Sequence, residues 1–422
     1  MSRFLLLMLS ASALFAQQRP TVLKASTLFD GKGQTLHNTI IVIERSKIVR
    51  IGGQAPAGAV TYDLSAFTVS PGWIDTHSHL SYHFDDKDRL AGTDEPPSQA
   101  LLRIADNAVR TLNAGFTTVQ SPGAMIDKDL RDAIARGILP GPRILTSLDA
   151  FTETSGDPAK LRQLVRERKT EGADLIKLFA SKSIREGGGQ TMSDAQLQAA
   201  CGEAKSLGLR TLVHAHSASS AKAATLAGCT SIEHGAYVTD DVFDLMAQHG
   251  TYYDPNIGVV LQNYLENKPR YFGIGNYNQE GFAFMDKGVA IVRDTFKRAL
   301  THKNLKIVYG TDATAGAHGH NYREFIVRVR DGGQDPMQAL ISATSLSAAS
   351  LNLGGEIGSI APGMQADIIA FDGNPLQDVT AAGRVVFVMK GGKVYENLAH
   401  GARNDESPAS SPPASPASNS AR

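Results

Sequence analysis

Two cysteines, Cys201 and Cys229, stand in a chain of 422 residues. They are too few for a disulfide framework and lack the CxxC spacing of a zinc ribbon. A metal site here would draw instead on histidine, carboxylate or a lysine-derived oxygen, and 12 histidines are available. Excess charge of one sign is missing too, since 42 Lys+Arg balance 42 Asp+Glu. Without a basic footprint, nucleic acid is not an expected partner. Beyond the first residues no run reaches ~18 consecutive apolar positions, so no membrane span is expected in the mature chain. What remains is an ordinary globular composition, 42% hydrophobic and 20% charged, in a chain long enough to bury a large core.

The two ends differ from the rest. Arg3 precedes an apolar run from Phe4 to Phe15, followed by small residues and a cleavage point after Ala16. Residues 1–16 therefore read as a secretory signal peptide, with a periplasmic or secreted destination. From Arg403 the chain continues NDESPASSPPASPASNSAR. Ser, Pro and Ala without large apolar residues cannot bury enough surface to fold, so 403–422 is expected to be a disordered tail.

Between the ends two styles of sequence alternate. Residues 20–70 hold short β-rich runs (LKASTLFDG, TIIVIERSKIVRIGG, AVTYDL), and the style returns over 356–398 in GSIAPGMQADIIAFDG and RVVFVMKGGKVYEN. Both pieces together predict one small β-sandwich built from the two termini. Residues 71–355 instead carry eight apolar, β-branched runs: TVSPGWID (overlapping the boundary), FTTVQS, PRILTS, DLIKLFA, RTLVHAH, CTSIEHG, TYYDPN and LKIVYGTD. Helix-compatible stretches such as DAQLQAACGEAKSLG separate most of them. Alternating strands and helices imply a parallel sheet, and eight repeats predict an α/β fold, a (β/α)8 TIM-like barrel inserted in the sandwich. The long aromatic stretch from Pro255 to Lys303 reads equally as a lid over the active face or as an added helix pair.

Active sites of such barrels lie at the C-terminal ends of the strands. Those ends carry His77, His79, Lys177, His214, His234 and Asp312. In His77-Ser78-His79 the two imidazoles fall on one face of an extended strand and can hold one cation. Further HxH triplets occur at His214–His216 and His318–His320, so placement, not the triplet itself, carries the signal. Each candidate ends a different predicted strand, and all would converge on the barrel axis. Nitrogen and oxygen donors without thiolate suit Zn²⁺ first, with Mn²⁺, Fe²⁺ or Co²⁺ as alternatives. Lys177, flanked by apolar residues in DLIKLFA, admits two readings of equal weight. One is a buried ion pair; the other is a neutral amine that adds CO2 to give a carbamate bridging two cations.

The pieces PGWIDTHSHL, Lys177, HAH followed by AGCTSIEHG, GTDA and GSIAPGMQADIIAFDGNPL resemble the amidohydrolase superfamily over nearly the whole mature chain. HAH with SIEHG is most similar to the subgroup of imidazolonepropionase-related enzymes and prolidase-like metallo-dipeptidases or carboxypeptidases. The resemblance implies a binuclear centre: His77, His79 and Asp312 on one ion, His214 and His234 on the second, carboxylated Lys177 bridging them. It leaves His216, His318 and Tyr237 as candidates for facing the substrate. Two departures bear on peptide cleavage but not on the metals. The loop after strand three (SLDAFTETSGDPAK) has no histidine, and Ser217 stands where a tyrosine sometimes occurs.

The implied chemistry is hydrolysis of an amide, peptide-like or N-acyl amino acid, by attack of metal-bound hydroxide. Asp312 moves the proton from water to the leaving amine. The competing expectations are a cyclic-amide hydrolase or deaminase of the imidazolonepropionase type and a non-catalytic exported binding protein. Lys177 counts against the first, and retention of all six candidate ligands counts against the second. The partner is then a small-molecule substrate, and a homo-oligomer remains open.

Overall fold

The computed structural model describes residues 19–92 and 95–399. The leader expected over 1–16 and the tail expected over 403–422 lie outside the described residues. Five strands come first: β1 (Thr21–Phe29), β2 (Thr35–Glu44), β3 (Lys47–Ile51), β4 (Val60–Asp63) and β5 (Thr68–Pro71). Next are β6 (Trp73–Asp75), β7 (Phe116–Ser121), β8 (Arg143–Thr146), β9 (Ala150–Phe151) and β10 (Leu175–Phe179). Then follow β11 (Arg210–Ser217), β12 (Ser231–Tyr237), β13 (Tyr252–Asp254) and β14 (Lys306–Ile307). The last are β15 (Ile368–Phe371), β16 (Val385–Lys390) and β17 (Lys393–Asn397).

The first five strands and the last three form one eight-stranded sheet in the order β17-β16-β15-β5-β1-β2-β3, with β4 beside β1. β5 and β15 pair antiparallel, Pro71 opposite Ile368, so both ends of the chain share one ladder. The sheet's core gathers Leu23, Ile41, Val69, Ile368 and Phe387 from both termini. The turn from β1 into β2 is set by Asp30, whose carboxylate accepts from the amides of Lys32 and Gln34.

The eight expected barrel runs all contain strands, paired in parallel as β6-β7-β8 and β9 through β14. Backbone bonds cross both seams between the two groups. Asp174 N donates to Thr146 O at 2.8 Å, and Thr76 N donates to Tyr309 O at 2.8 Å. A parallel bridge between Ser78 and Ala313 joins the extension of β6 to that of β14. The fold is thus α/β, a (β/α)8 barrel whose strands are buried from both faces. That explains why β7 reads FTTVQS, without polar-apolar alternation, and has all six residues buried. Trp73, fully buried, packs on Phe116, Phe325 and Phe371 and so joins the barrel floor to β15 of the terminal sheet.

The outer helices begin with α1 (Pro97–Asn113), α2 (Asp127–Ala135), α3 (Pro158–Glu171), α4 (Asp194–Ser206), α5 (Ala218–Leu226) and α6 (Asp240–His249). α4 starts where Ser193 and Gln196 exchange side-chain and backbone bonds, a reciprocal cap contributing about 1 kcal/mol. The aromatic stretch after Pro255 forms α7 (Val260–Glu266), α8 (Lys268–Tyr271) and α9 (Gln279–Ala299). It is helical and also roofs the site, since Val260, Leu261, Tyr264 and Val292 line the central cavity. The two cysteines, too few for a framework, pair with each other. A disulfide ties Cys201 of α4 to Cys229 at the entry to β12. Nothing in their spacing announced that contact, which depends on α4 packing beside the α5–β12 turn. Among the described residues no helix is long and apolar enough to cross a membrane.

Candidate metal centre

Asp75, at the end of β6, organises the first half of the site. Its carboxylate accepts from His77 N (3.1 Å), Thr311 N (3.0 Å), Thr311 Oγ1 (2.6 Å) and Asn321 Nδ2 (2.7 Å). These bonds bring together the segments that follow β6 and β14. Asp312 N donates to His77 O at 2.6 Å, which sets the Asp312 carboxylate against the HxH pair. His79 Nε2 lies 3.0 Å and His77 Nε2 3.6 Å from Asp312 Oδ1. Behind His77, Glu233 Oε2 approaches Nδ1 to 3.0 Å without the alignment of a hydrogen bond.

Lys177 enters from β10, only 1% exposed, with Nζ 3.2 Å from His77 Nε2. Burial pulls its ammonium pKa down, opposed by the charges of Glu233, Asp312 and Asp254. On its other side the rings of His214, His216 and His234 meet. His214 and His234 are edge to face at 4.6 Å between centroids, and His216 stacks on His234 at 4.9 Å. His77 lies 5.2 Å from His234, so the two groups adjoin. Each triad, His77/His79/Asp312 and His214/His216/His234, has donor atoms within 4.8 Å of one another.

Two of these residues hold backbone conformations that side chains normally avoid. His234 has φ of 69° and Asp312 φ of 50°, each costing about 1–3 kcal/mol outside a supporting structure. In β12 simple alternation would put Glu233 and His234 on opposite faces. The left-handed turn at His234 lets both approach His77. Gly310 is required for a different reason: a Cβ there would stand 1.9 Å from Asp254 Oδ2.

The electrostatics favour metal donors. Burial, reinforced by neighbouring positive groups, holds His77, His214 and His234 well below the ordinary imidazole pKa. Burial and then Arg185 push His216 down to about 3. Neutral imidazoles keep the lone pair that a cation needs. His216 Nδ1 is buried without a hydrogen-bond partner, an orphan that costs free energy unless a ligand satisfies it. Beneath them, burial raises Glu233 above the usual carboxylate range, with Asp254 adding to it, and burial raises Asp254 to about 7. The nitrogen and oxygen donors present therefore fit divalent cations.

All six residues read as ligands line one cavity of about 410 Å³, the size of a small-molecule site. His216, read as substrate-facing, also lines it but stands inside a triad of imidazoles. His318 and Tyr237 are elsewhere. His318 Nε2 meets Tyr82 O at 3.2 Å, and His318 borders a separate surface depression with Arg110 and Tyr322. Tyr237 packs over Gly188 at a second depression beside α9. Neither is among the residues lining the cavity that holds the candidate ligands: the loop after β14 folds back on the segment after His79, and Tyr237 is the last residue of β12. Sequence reasoning missed Glu233, Asp254 and Arg185. Glu233 was legible in SIEHG as a carboxylate beside a ligand, whereas Arg185 in a Gly-rich loop carried no signal.

A (β/α)8 barrel presenting imidazoles, a lysine and a carboxylate at its strand ends defines a class, the metal-dependent hydrolases of carbon–nitrogen bonds. The chain belongs to the amidohydrolase family, whose profile matches residues 68–395. It is similar to the ochratoxinase of Aspergillus niger, 25% identical over 432 residues and spanning 90% of this chain and 87% of that one. The imidazolonepropionase of Rhodococcus jostii is 24% identical, with 82% and 85% of the two chains aligned. Among solved structures, a Xaa-Pro dipeptidase with methionine bound in its active site aligns at TM-score 0.81 and 31% identity. That alignment spans 90% of this chain and 100% of the other.

Proposed function

We propose that the protein is an exported, binuclear metal-dependent hydrolase that cleaves an amide bond in a peptide-like or N-acyl amino acid substrate. The observation that carries this reading is the convergence of two donor triads and Lys177 on a single cavity. His77, His79 and Asp312 would hold one divalent ion, zinc first, and His214 and His234 the second, with His216 beside them. Such ions, when bound, supply Lewis acidity and lower the pKa of a water.

The chain's own groups do the rest. Burial disfavours the ammonium form of Lys177, and its free amine would add CO2, releasing one proton and leaving a carbamate with two donor oxygens. That group would replace the bare Nζ beside His77 and reach both triads. Asp312 stands where it can take a proton from the attacking water as the carbonyl carbon–oxygen bond forms. It then returns that proton to nitrogen as the carbon–nitrogen bond breaks. The roof formed by α7 and α9 limits water and orients the substrate.

Peptide-like substrates are supported by the similarity to the Xaa-Pro dipeptidase and to a prolidase complexed with N-methylphosphonate-L-proline, the latter 25% identical. The ochratoxinase points to the same bond class. Export is supported by the Arg3–Ala16 leader and by the Cys201–Cys229 disulfide, which oxidising compartments favour. The deaminase or cyclic-amide reading has the imidazolonepropionase similarity behind it, but it leaves the buried Lys177 without a task.

The decisive experiment counts metal and turnover together. Purified protein should hold about two divalent ions per chain and lose amide hydrolysis with a chelator. The assay panel is dipeptides, N-acyl amino acids and lactones. Lys177→Ala should hold one ion or fewer and be inactive. Two ions retained in Lys177→Ala would end the bridging role, and a metal-loaded protein inert on every amide would end the hydrolase reading.

A further inference from the structure

The cavity contains a cation that the hydrolytic chemistry does not use. Arg185 sits in the turn after β10, its amide capped by Ser183 Oγ. Its Nε donates to Asn276 Oδ1 at 2.7 Å, while Asn276 Nδ2 donates to Glu186. The guanidinium lies 4.2 Å from the Tyr277 ring centroid and 5.4 Å from that of Tyr264, and Tyr264 also meets it with its hydroxyl. Thus the Nε edge is pinned and one face is stacked, whereas no carboxylate among the described residues forms an ion pair with the fork. Glu186, its neighbour in sequence, is turned to Asn276. The positive charge reaches the metal-side histidines, being the largest charge effect on His216. Burial disfavours the charge, but the contacts with Tyr264 and Tyr277 and the more distant Asp312 more than offset it, so the guanidinium stays charged in the cavity with no carboxylate paired to its fork.

We infer that Arg185 receives the free carboxylate of the substrate's amine-side residue and thereby selects N-acyl amino acids and carboxyl-terminal dipeptides over neutral amides. The inference rests on the hydrolase reading and names its substrate class. A planar fork with two terminal nitrogens matches a carboxylate through two parallel bonds, which a lysine cannot reproduce. In the same cavity Val260, Leu261 and Val292 offer apolar lining for the side chain next to that carboxylate. Arg185 would then act as a specificity-determining group that fixes the distance from carboxylate to scissile carbonyl.

The probes are N-acetyl-L-phenylalanine and its C-terminal carboxamide, followed by release of the deacetylated amine. Wild type should favour the acid by at least ~30-fold in kcat/KM, the range expected for a charge-assisted pair. Arg185→Gln should lose about 100-fold more on the acid than on the carboxamide, mainly through KM, and Arg185→Lys should recover part of it. Equal losses on both probes would mean a structural role and overturn the assignment, as would a wild type indifferent to the carboxylate. In that last case turnover itself would stand, and so would the hydrolase reading. If neither probe is turned over, calorimetric titration of N-acetyl-L-phenylalanine decides. About 30-fold weaker binding to Arg185→Gln supports the carboxylate site without hydrolysis, and equal affinity overturns it. Thermal melting of each variant separates these outcomes from misfolding.

Discussion

Reducing the Cys201–Cys229 bond, with the sequence unchanged, should lower the stability of the folded protein by an amount that follows from its place in the chain. The two residues are 28 positions apart. Releasing a loop of that length restores unfolded-state entropy equivalent to about 3.6 kcal/mol at 25 °C on the chain-entropy account. Both cysteines are buried, so leaving the sulfurs in place avoids any cavity contribution, which a Cys→Ala pair would add. For a chain of 422 residues, ~2.1 cal/mol/K per residue gives an unfolding entropy of ~0.9 kcal/mol/K, and the loss becomes ~4 °C in apparent Tm. The assay is a melt at fixed scan rate on protein refolded with and without reductant, since unfolding of a chain this long is apt to be irreversible. Thiol titration confirms each state. Equal melting within ~1 °C, or two reactive thiols in the untreated protein unfolded in denaturant, would refute the reasoning. Because Cys229 lies two residues before β12, faster hydrogen exchange should appear around Glu233 and His234 before it appears in the terminal sheet.

Asp312→Asn should keep the fold, because Asn tolerates the left-handed backbone at that position, and lower turnover by about 10³-fold. A rate within tenfold of wild type would mean that another group moves the proton. Asp127, fully buried at the start of α2, bonds to Ser121 through one oxygen, and burial raises its pKa from 3.8 to about 7. The folded state therefore binds more protons than the unfolded chain between those values, and stability falls as pH rises through the window, by roughly 4 kcal/mol. Asp127→Asn should remove that slope, gaining on wild type at pH 8 and converging with it near pH 4. A difference independent of pH in denaturant titrations would exclude the linkage.

The barrel was readable because its strands are buried on both faces. Runs such as DLIKLFA and RTLVHAH cannot be exposed, and each carries donor chemistry, Lys177 within the first and His214 and His216 at the end of the second. Position marked His77, His79 and Asp312 as candidates, and the family resemblance grouped them on one ion. Less legible was whatever depends on departures from regular geometry. Period-two alternation separates Glu233 from His234, and only the left-handed turn reunites them. His216 belongs with His214 because both flank the stacked ring of His234, a relation between strands that no single-strand pattern contains. Arg185 sits in a polar, Gly-rich loop that looks like any other connection until Tyr264 and Tyr277 close over it. The disulfide was hidden for the same reason, since helix neighbours around a barrel are set by packing and not by spacing.

The shared ladder between β5 and β15 has a consequence for biogenesis. A polypeptide made from its amino end can assemble β1 through β5, but one rim of β5 stays open, its carbonyls and amides unmatched, until nearly the whole chain has been synthesised. Maturation of the small sheet is thus the closing event, and truncations that remove β15 through β17 should leave sticky, self-associating fragments.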